Sequence, residues 1–135
     1  ELALYQIAFG ILAVTGHILP IFAGFKGGKG IATLLGMILA IHSLAAGTCI
    51  LVFLAIFLST GYVSLGSMLA GLTFPILMFF PFYQENEQFN KVLFIFGAIV
   101  SMLLIFTHRK NIQRLLKGEE NSFKKKKIEQ NEDKI

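Results

Sequence analysis

The sequence predicts an all-α fold, a polytopic transmembrane helical bundle of about five spans, and three observations carry that expectation. Of its 135 residues, 55% are hydrophobic and only 15% are charged, against about 25% charged in an ordinary soluble domain. Mean hydropathy is +0.70. No Asp, Glu, Lys or Arg occurs from Ile31 to Gln84, and a single chain crossing lipid over such a length satisfies its backbone hydrogen bonds as helices.

Taken in order, Glu1 to Val14 is apolar apart from Glu1 and Gln6 and shorter than the roughly 20 residues of a full span. It reads as the remainder of a helix. The opening Glu1, with no basic segment before the apolar run, argues against a signal peptide and suggests a start partway through a longer protein. Thr15 to Gly30 reads as a polar loop, because Pro20 and five glycines oppose a continuous helix. The long uncharged segment breaks best at Gly47-Thr48 and Ser59-Thr60-Gly61-Tyr62. That division gives helices over 31–47, 49–60 and 64–82, the second too short for a ~30 Å hydrocarbon core unless tilted or extended. Pro75 should kink the third. Gln84 to Gln88 is a polar turn, and 92–106 forms the last helix.

Charge placement supports an even number of crossings between the basic clusters; two or four would satisfy it, and four fits the breaks better. Lys26 and Lys29 precede the four helices, and His108-Arg109-Lys110 follows them. The positive-inside rule puts both clusters in the cytoplasm, which an even number of crossings allows. Gly66 with Ala70, and Ser67 with Gly71, are small residues four apart that permit close helix approach within the bundle. His42 reads as hydrogen-bonded structure rather than a proton relay. Cys49, the only cysteine, reads as a small buried hydrophobe. The formal charge of +4 is no nucleic-acid signature. Lys124 to Lys127 suits a tail beside anionic membrane lipid, and Arg114, Leu115, Leu116 and Lys117 suit an amphipathic segment in the headgroups.

Lys26-Gly27-Gly28-Lys29-Gly30 is the chemically informative island. Glycines let successive backbone N–H groups converge on one anion, and the lysines add charge. At about 4 Å from a phosphate, each lysine contributes about 1 kcal/mol in water and ~4 at an effective dielectric near 20. A passive basic loop between spans is the plain alternative, as in a non-catalytic transporter or scaffold. A nucleotide-binding Walker loop is excluded, because Gly30 rather than Ser or Thr follows Lys29 and no strand precedes it.

The longer pattern from Gly16-His17 through Pro20, Phe22 and Phe25-Lys26-Gly27-Gly28-Lys29-Gly30 to Ala32-Thr33 closely resembles the second signature motif of the membrane-embedded acyl-phosphate–glycerol-3-phosphate acyltransferases of bacteria. His108-Arg109-Lys110-Asn111 through Gly118-Glu119-Glu120 resembles their third. Leu19 stands where that family commonly has an aromatic, and Ser122 where it has a basic residue. The family's first motif, a Ser-Gly-Asn stretch, is absent.

The resemblance implies a seven-span intact protein, of which 1–118 would be the transmembrane acyltransferase domain without its N-terminal part and 119–135 a basic cytoplasmic tail. It implies a multi-pass protein of the bacterial inner membrane, with its active face and C-terminus cytoplasmic, and a chain inactive on its own. The implied reaction takes acyl phosphate and glycerol 3-phosphate to lysophosphatidic acid. The implied partners are those two molecules and membrane lipid, with no acyl-CoA, cofactor or metal. Acyl-CoA enzymes use a His-x-x-x-x-Asp pair, and the only aspartate here is Asp133. Both substrates are anions, so the site should be rich in cations and N–H donors. By the resemblance, Lys26 to Gly30 would bind the acceptor phosphate with His17, and His108 and Asn111 would belong to the active site. Arg109 is assigned to anion binding on its bidentate geometry. Glu120 is expected to brace the loop by pairing with a basic neighbour.

Overall fold

The computed structural model describes residues 2–24, 27–84 and 87–123. Among these residues six helices follow one another: α1 (Leu2–Ile18), α2 (Ile31–Ile41), α3 (Ser43–Thr60), α4 (Val63–Leu77), α5 (Glu87–Thr107) and α6 (Arg109–Leu116). Single 3-10 turns lie at Ile21–Ala23 and Pro81–Tyr83. There is no strand among the described residues.

Two expected breaks move. The chain turns at His42, not at Gly47-Thr48, so α2 is the short helix and α3 spans 18 residues. The turn is made by the histidine itself. Its backbone leaves helical geometry at φ −147° and ψ 78°, and its Nδ1 accepts the Ala45 N–H at 3.3 Å. The Nε2–H then donates to the Tyr83 carbonyl at 2.9 Å, while the Thr48 and Tyr83 hydroxyls meet at 2.8 Å. Gly47 has open space beside it and simply continues α3. The second move is at α1, which carries on through Thr15, Gly16 and His17 to Ile18; Thr15 returns its hydroxyl to the Ile11 carbonyl at 2.7 Å.

α4 is also shorter than expected. Pro75 lies inside it, and the helix ends two residues later at Leu77. Ser43–Thr60 and Asn90–Thr107 are long and apolar enough to cross a membrane, with mean hydropathies of 2.1 and 2.0. α1, α2 and α4 are shorter apolar helices. At ~1.5 Å per residue, α2 alone reaches only about half of a ~30 Å core.

The small residues do their work inside the chain. Gly66 lies against the Phe53 ring of α3, and Gly71 against Leu104 of α5. At Gly97 an added Cβ would stand 2.7 Å from Phe74 Cδ1 and 3.2 Å from Pro75 Cβ. The Ser101 hydroxyl shares its proton between the Gly97 carbonyl of its own helix, at 2.7 Å, and the Gly71 carbonyl of α4, at 2.9 Å. Around this seam lies a core that includes Leu34, Met37, Ala45, Cys49, Phe74, Leu77 and Leu93. Outside, large apolar side chains such as Phe9, Leu51, Leu58 and Met102 are two-thirds or more exposed. Such a surface is matched to lipid rather than water.

Long-range bonds assign the two ends. His42 on Tyr83 joins the α2–α3 turn to the α4–α5 connection. The Phe123 N–H on the Gly61 carbonyl, at 3.1 Å, joins the α3–α4 turn to the segment after α6. Residues 119–123, expected to open the tail, are therefore packed on the bundle, with Glu120 and Ser122 buried. Lys124 to Lys127 lie outside the described residues.

The tight α4–α5 contact gives a direct test. Gly97→Leu should destabilise the chain by about 1–3 kcal/mol through overpacking against Phe74 and Pro75, read as a lower melting temperature in detergent. An unchanged melting temperature would contradict that packing.

Candidate active site

The site face is built at the end of the bundle where α1 stops and α2 starts. Pro20 ends α1, and Gly24 turns the chain at φ 61°. Gly27 then passes so close to α1 that an added Cβ would collide with the His17 and Ile18 carbonyl oxygens. Gly28 lies under the His17 ring, where a Cβ would be 2.5 Å from Nε2. Gly30, at φ 73°, is the residue from which α2 begins, and it is buried against Val14 and Ile18. Only glycine meets these demands without strain. The first N–H groups of α2 have no acceptor within the helix and carry the positive end of its dipole. Lys26 lies outside the described residues.

Lys29 joins the two halves of the site. Its Nζ donates to Asn111 Oδ1 at 2.7 Å, across 82 residues of sequence. Asn111, buried on α6, donates through Nδ2 to Glu120 Oε1 at 2.7 Å. The amide's orientation follows from its partners: an ammonium faces the carbonyl oxygen, and a carboxylate faces the nitrogen. Glu120 is 7% exposed. Its Oε1 also accepts the Ser64 hydroxyl at 2.8 Å, and its Oε2 lies 2.8 Å from Arg114 Nε. Burial drives this carboxyl towards protonation, but the hydrogen bonds from Asn111 and Ser64 and the charge of Arg114 outweigh it. Its pKa is held below the ordinary value.

His108 caps α6 and is almost wholly buried, at 1% exposure. Its Nδ1–H donates to the Leu104 carbonyl at 2.8 Å, which leaves Nε2 as the acceptor nitrogen of a neutral ring. Burial pushes its pKa below 6.5, and the Lys29 charge pushes the same way, against the Leu104 hydrogen bond and Glu120. The ring is thus uncharged at neutral pH, one helical turn from Asn111. His17 is tied to the other half of the site, its Nδ1 lying 3.1 Å from the Thr33 hydroxyl.

The residues expected from sequence divide clearly. Lys29, Asn111, Glu120 and His108 come together, and Gly27, Gly28, Gly30 and His17 shape the approach to Lys29. Arg109 does not join them. Its guanidinium sits 4.5 Å over the Phe106 ring and reaches the Phe106 carbonyl at 3.4 Å. Arg114, read from sequence as an interfacial residue, is the arginine that meets Glu120. Ser64 was not singled out at all: it is an ordinary serine in the first turn of an apolar helix. Among the described residues no group of three or more His, Cys, Asp or Glu side chains is placed to hold a metal.

Acid should loosen this face. His108 and Glu120 both bind a proton less readily in the folded chain than in the unfolded one, so the unfolded state gains protons first as pH falls. The His108 contribution is complete above 6.5 and is lost below it; that of Glu120 is lost lower, as pH falls through the carboxylate range. The melting temperature in detergent should drop between about pH 7.5 and about pH 5.5, and His108→Gln should reduce that drop. An equal drop in the variant would contradict the buried neutral ring.

Comparison with known proteins adds family to geometry. The family model for glycerol-3-phosphate acyltransferase matches residues 2–118. A glycerol-3-phosphate acyltransferase of Chlorobaculum parvum is 40% identical over 137 aligned residues, covering 90% of this chain and 59% of that protein. The one from Prochlorococcus marinus is 42% identical, over 96% of this chain and 61% of its own length. The chain therefore spans about three-fifths of these relatives. The crystal structure of PlsY, an integral membrane glycerol 3-phosphate acyltransferase, in its glycerol 3-phosphate form superposes with a TM-score of 0.74 at 40% identity, covering 84% of this chain and 54% of that one. Its lysophosphatidic acid form gives 0.71 at 41% identity, over 82% and 53%. Matched by that family model over residues 2–118, the chain belongs to the glycerol-3-phosphate acyltransferase family.

Proposed function

We propose that the protein carrying this chain transfers an acyl group from acyl phosphate to the 1-hydroxyl of glycerol 3-phosphate, giving lysophosphatidic acid and inorganic phosphate. The Lys29–Asn111 bond is the observation that supports this most. It puts a cation at the mouth of a glycine-formed helix start and ties it to the second motif-bearing segment. One Lys29 proton is engaged by Asn111, and an ammonium has two more to offer a phosphate. The Gly27 to Gly30 backbone and the start of α2 add N–H donors for the same anion.

In the reaction proposed, the acceptor hydroxyl oxygen forms a bond to the acyl carbonyl carbon. The bond from that carbon to the phosphate oxygen breaks, and the phosphate leaves with the electron pair. The leaving phosphate takes the hydroxyl proton. So good a leaving group makes a covalent enzyme intermediate unnecessary. The task left to the protein is to hold two anions with their reacting atoms about 3–3.5 Å apart and to offset their charge. Lys29 and the loop hold glycerol 3-phosphate. Asn111 and the neutral His108 ring complete the site from the α6 side. The positive-inside rule supports a site face in the cytoplasm; four crossings between the basic clusters, preceded by α1, make five in this chain, in a bacterial inner membrane by analogy with the family.

Lys29 gives a cleaner test than the glycines, because Gly27→Ala would strike α1 backbone whatever the loop binds. Glycerol 3-phosphate titrated calorimetrically into the detergent-solubilised chain should bind, and Lys29→Met should weaken binding at least about fivefold, the factor that ~1 kcal/mol represents. Equal affinity in the two would leave the loop a passive linker. Membranes of the complete protein should form lysophosphatidic acid from acyl phosphate and not from acyl-CoA; the reverse donor preference would contradict the proposal.

A further inference from the structure

Glu120 is buried at the centre of the site face, and its two oxygens are held from different directions. Asn111 and Ser64 both donate to Oε1, at 2.7 and 2.8 Å, while Arg114 approaches Oε2 at 2.8 Å. Asn111 and Arg114 both belong to α6 and move with it. Ser64 belongs to α4, which reaches this face from the α3–α4 turn. Among these three donors it is the one that references Glu120 to the body of the bundle.

The segment carrying Glu120 is strapped down around that contact. Gly118 reverses the chain after α6 at φ 69°. The Phe123 N–H meets the Gly61 carbonyl at 3.1 Å, and the Phe123 ring packs edge-on against Phe57, with centroids 5.6 Å apart. The strap thus crosses the α3–α4 turn and delivers Glu120 to Ser64, both of them buried.

We infer that Ser64, which lies outside both signature motifs, is a positioning residue for the phosphate-binding lysine, acting through Glu120 and Asn111. This rests on the reading of Lys29 as a ligand of glycerol 3-phosphate. Ser64 fixes the plane of the Glu120 carboxylate. The carboxylate fixes the Asn111 amide by accepting from its nitrogen, and the amide oxygen fixes the Lys29 ammonium at 2.7 Å. Without the Ser64 hydroxyl, Oε1 keeps only the Asn111 donor, and the carboxylate is free to swing towards Arg114. Asn111 then follows it, and Lys29 loses its fixed place above the loop.

Ser64→Thr and Ser64→Val have the same shape and differ in the hydroxyl, so they separate hydrogen bonding from packing. Two quantities are measured on the full chain in detergent: the affinity for glycerol 3-phosphate, and the NMR position of the Asn111 side-chain amide without ligand. Ser64→Val should weaken binding about five- to tenfold, as expected when a hydrogen bond to a charged group is lost, and should move the Asn111 signal. Ser64→Thr should stay within about twofold of the parent chain in affinity, with the signal in place. Should the valine chain fail to fold, Ser64→Ala makes the same comparison. Parent-like affinity in the chain lacking the hydroxyl, or weakened binding with an unmoved Asn111 signal, would overturn the inference. A parent chain that binds no glycerol 3-phosphate would count against the proposed function alone, since the Asn111 signal is read without ligand.

Discussion

A carboxylate removed from water must be given partners, and the placement of Glu120 makes that requirement organise the site face. Left alone in a buried setting, an ionised carboxylate costs several kcal/mol even after relaxation, about as much as the two or three charge-assisted hydrogen bonds needed to offset it. Ser64 and Asn111 supply two such bonds, from α4 and α6, and Arg114, one turn along α6 from Asn111, adds an opposite charge 2.8 Å from the other oxygen. Each then has one orientation imposed on it. Asn111 must turn its nitrogen inward, which leaves its oxygen outward, where Lys29 meets it. A loop that precedes α2 is thereby locked to a helix that follows α5.

The glycines serve this arrangement in a second way. Gly27 and Gly28 let the loop lie directly on the end of α1, and Gly30 lets α2 start in a left-handed conformation. Lys29 therefore rises from a fixed floor rather than a free loop. His17 is fixed to Thr33 above that floor, so the last turn of α1 and the first turn of α2 are clasped before any ligand arrives. Pre-organisation of this sort matters for anion recognition, because donors already in place need no reordering when charge is bound. The opposite end of the bundle is pinned by His42 and Tyr83 instead, with no counterpart of the Lys29 network among the described residues.

How much of this was legible in sequence depends on the kind of signal. The glycine-lysine loop stood out by its backbone and charge pattern and the His108–Asn111 segment by its resemblance to a family motif, and the structure brings Lys29 within 2.7 Å of Asn111. The turn at His42 was not legible: histidine is no usual helix cap, whereas Gly47-Thr48 has the look of a break and costs little inside an apolar helix. α1 ran past Thr15 and Gly16 because Thr15 bonds back to its own helix. That Arg114 is the basic neighbour of Glu120 depends on which face of α6 meets the strap, and nothing in the local sequence says that Gly118 will fold residues 119–123 back over Gly61. Ser64 left no signal, since a hydroxyl in the first turn of an apolar helix is ordinary until a buried carboxylate faces it.

The meeting of Lys29 with Asn111 is best tested where the chain works, in a membrane. With cysteine at both positions, and the native Cys49 buried, a short bifunctional thiol reagent should bridge the two, and an impermeant label should reach both from the same side of the bilayer. No bridge, together with labelling of the two cysteines from opposite sides, would contradict a shared phosphate site.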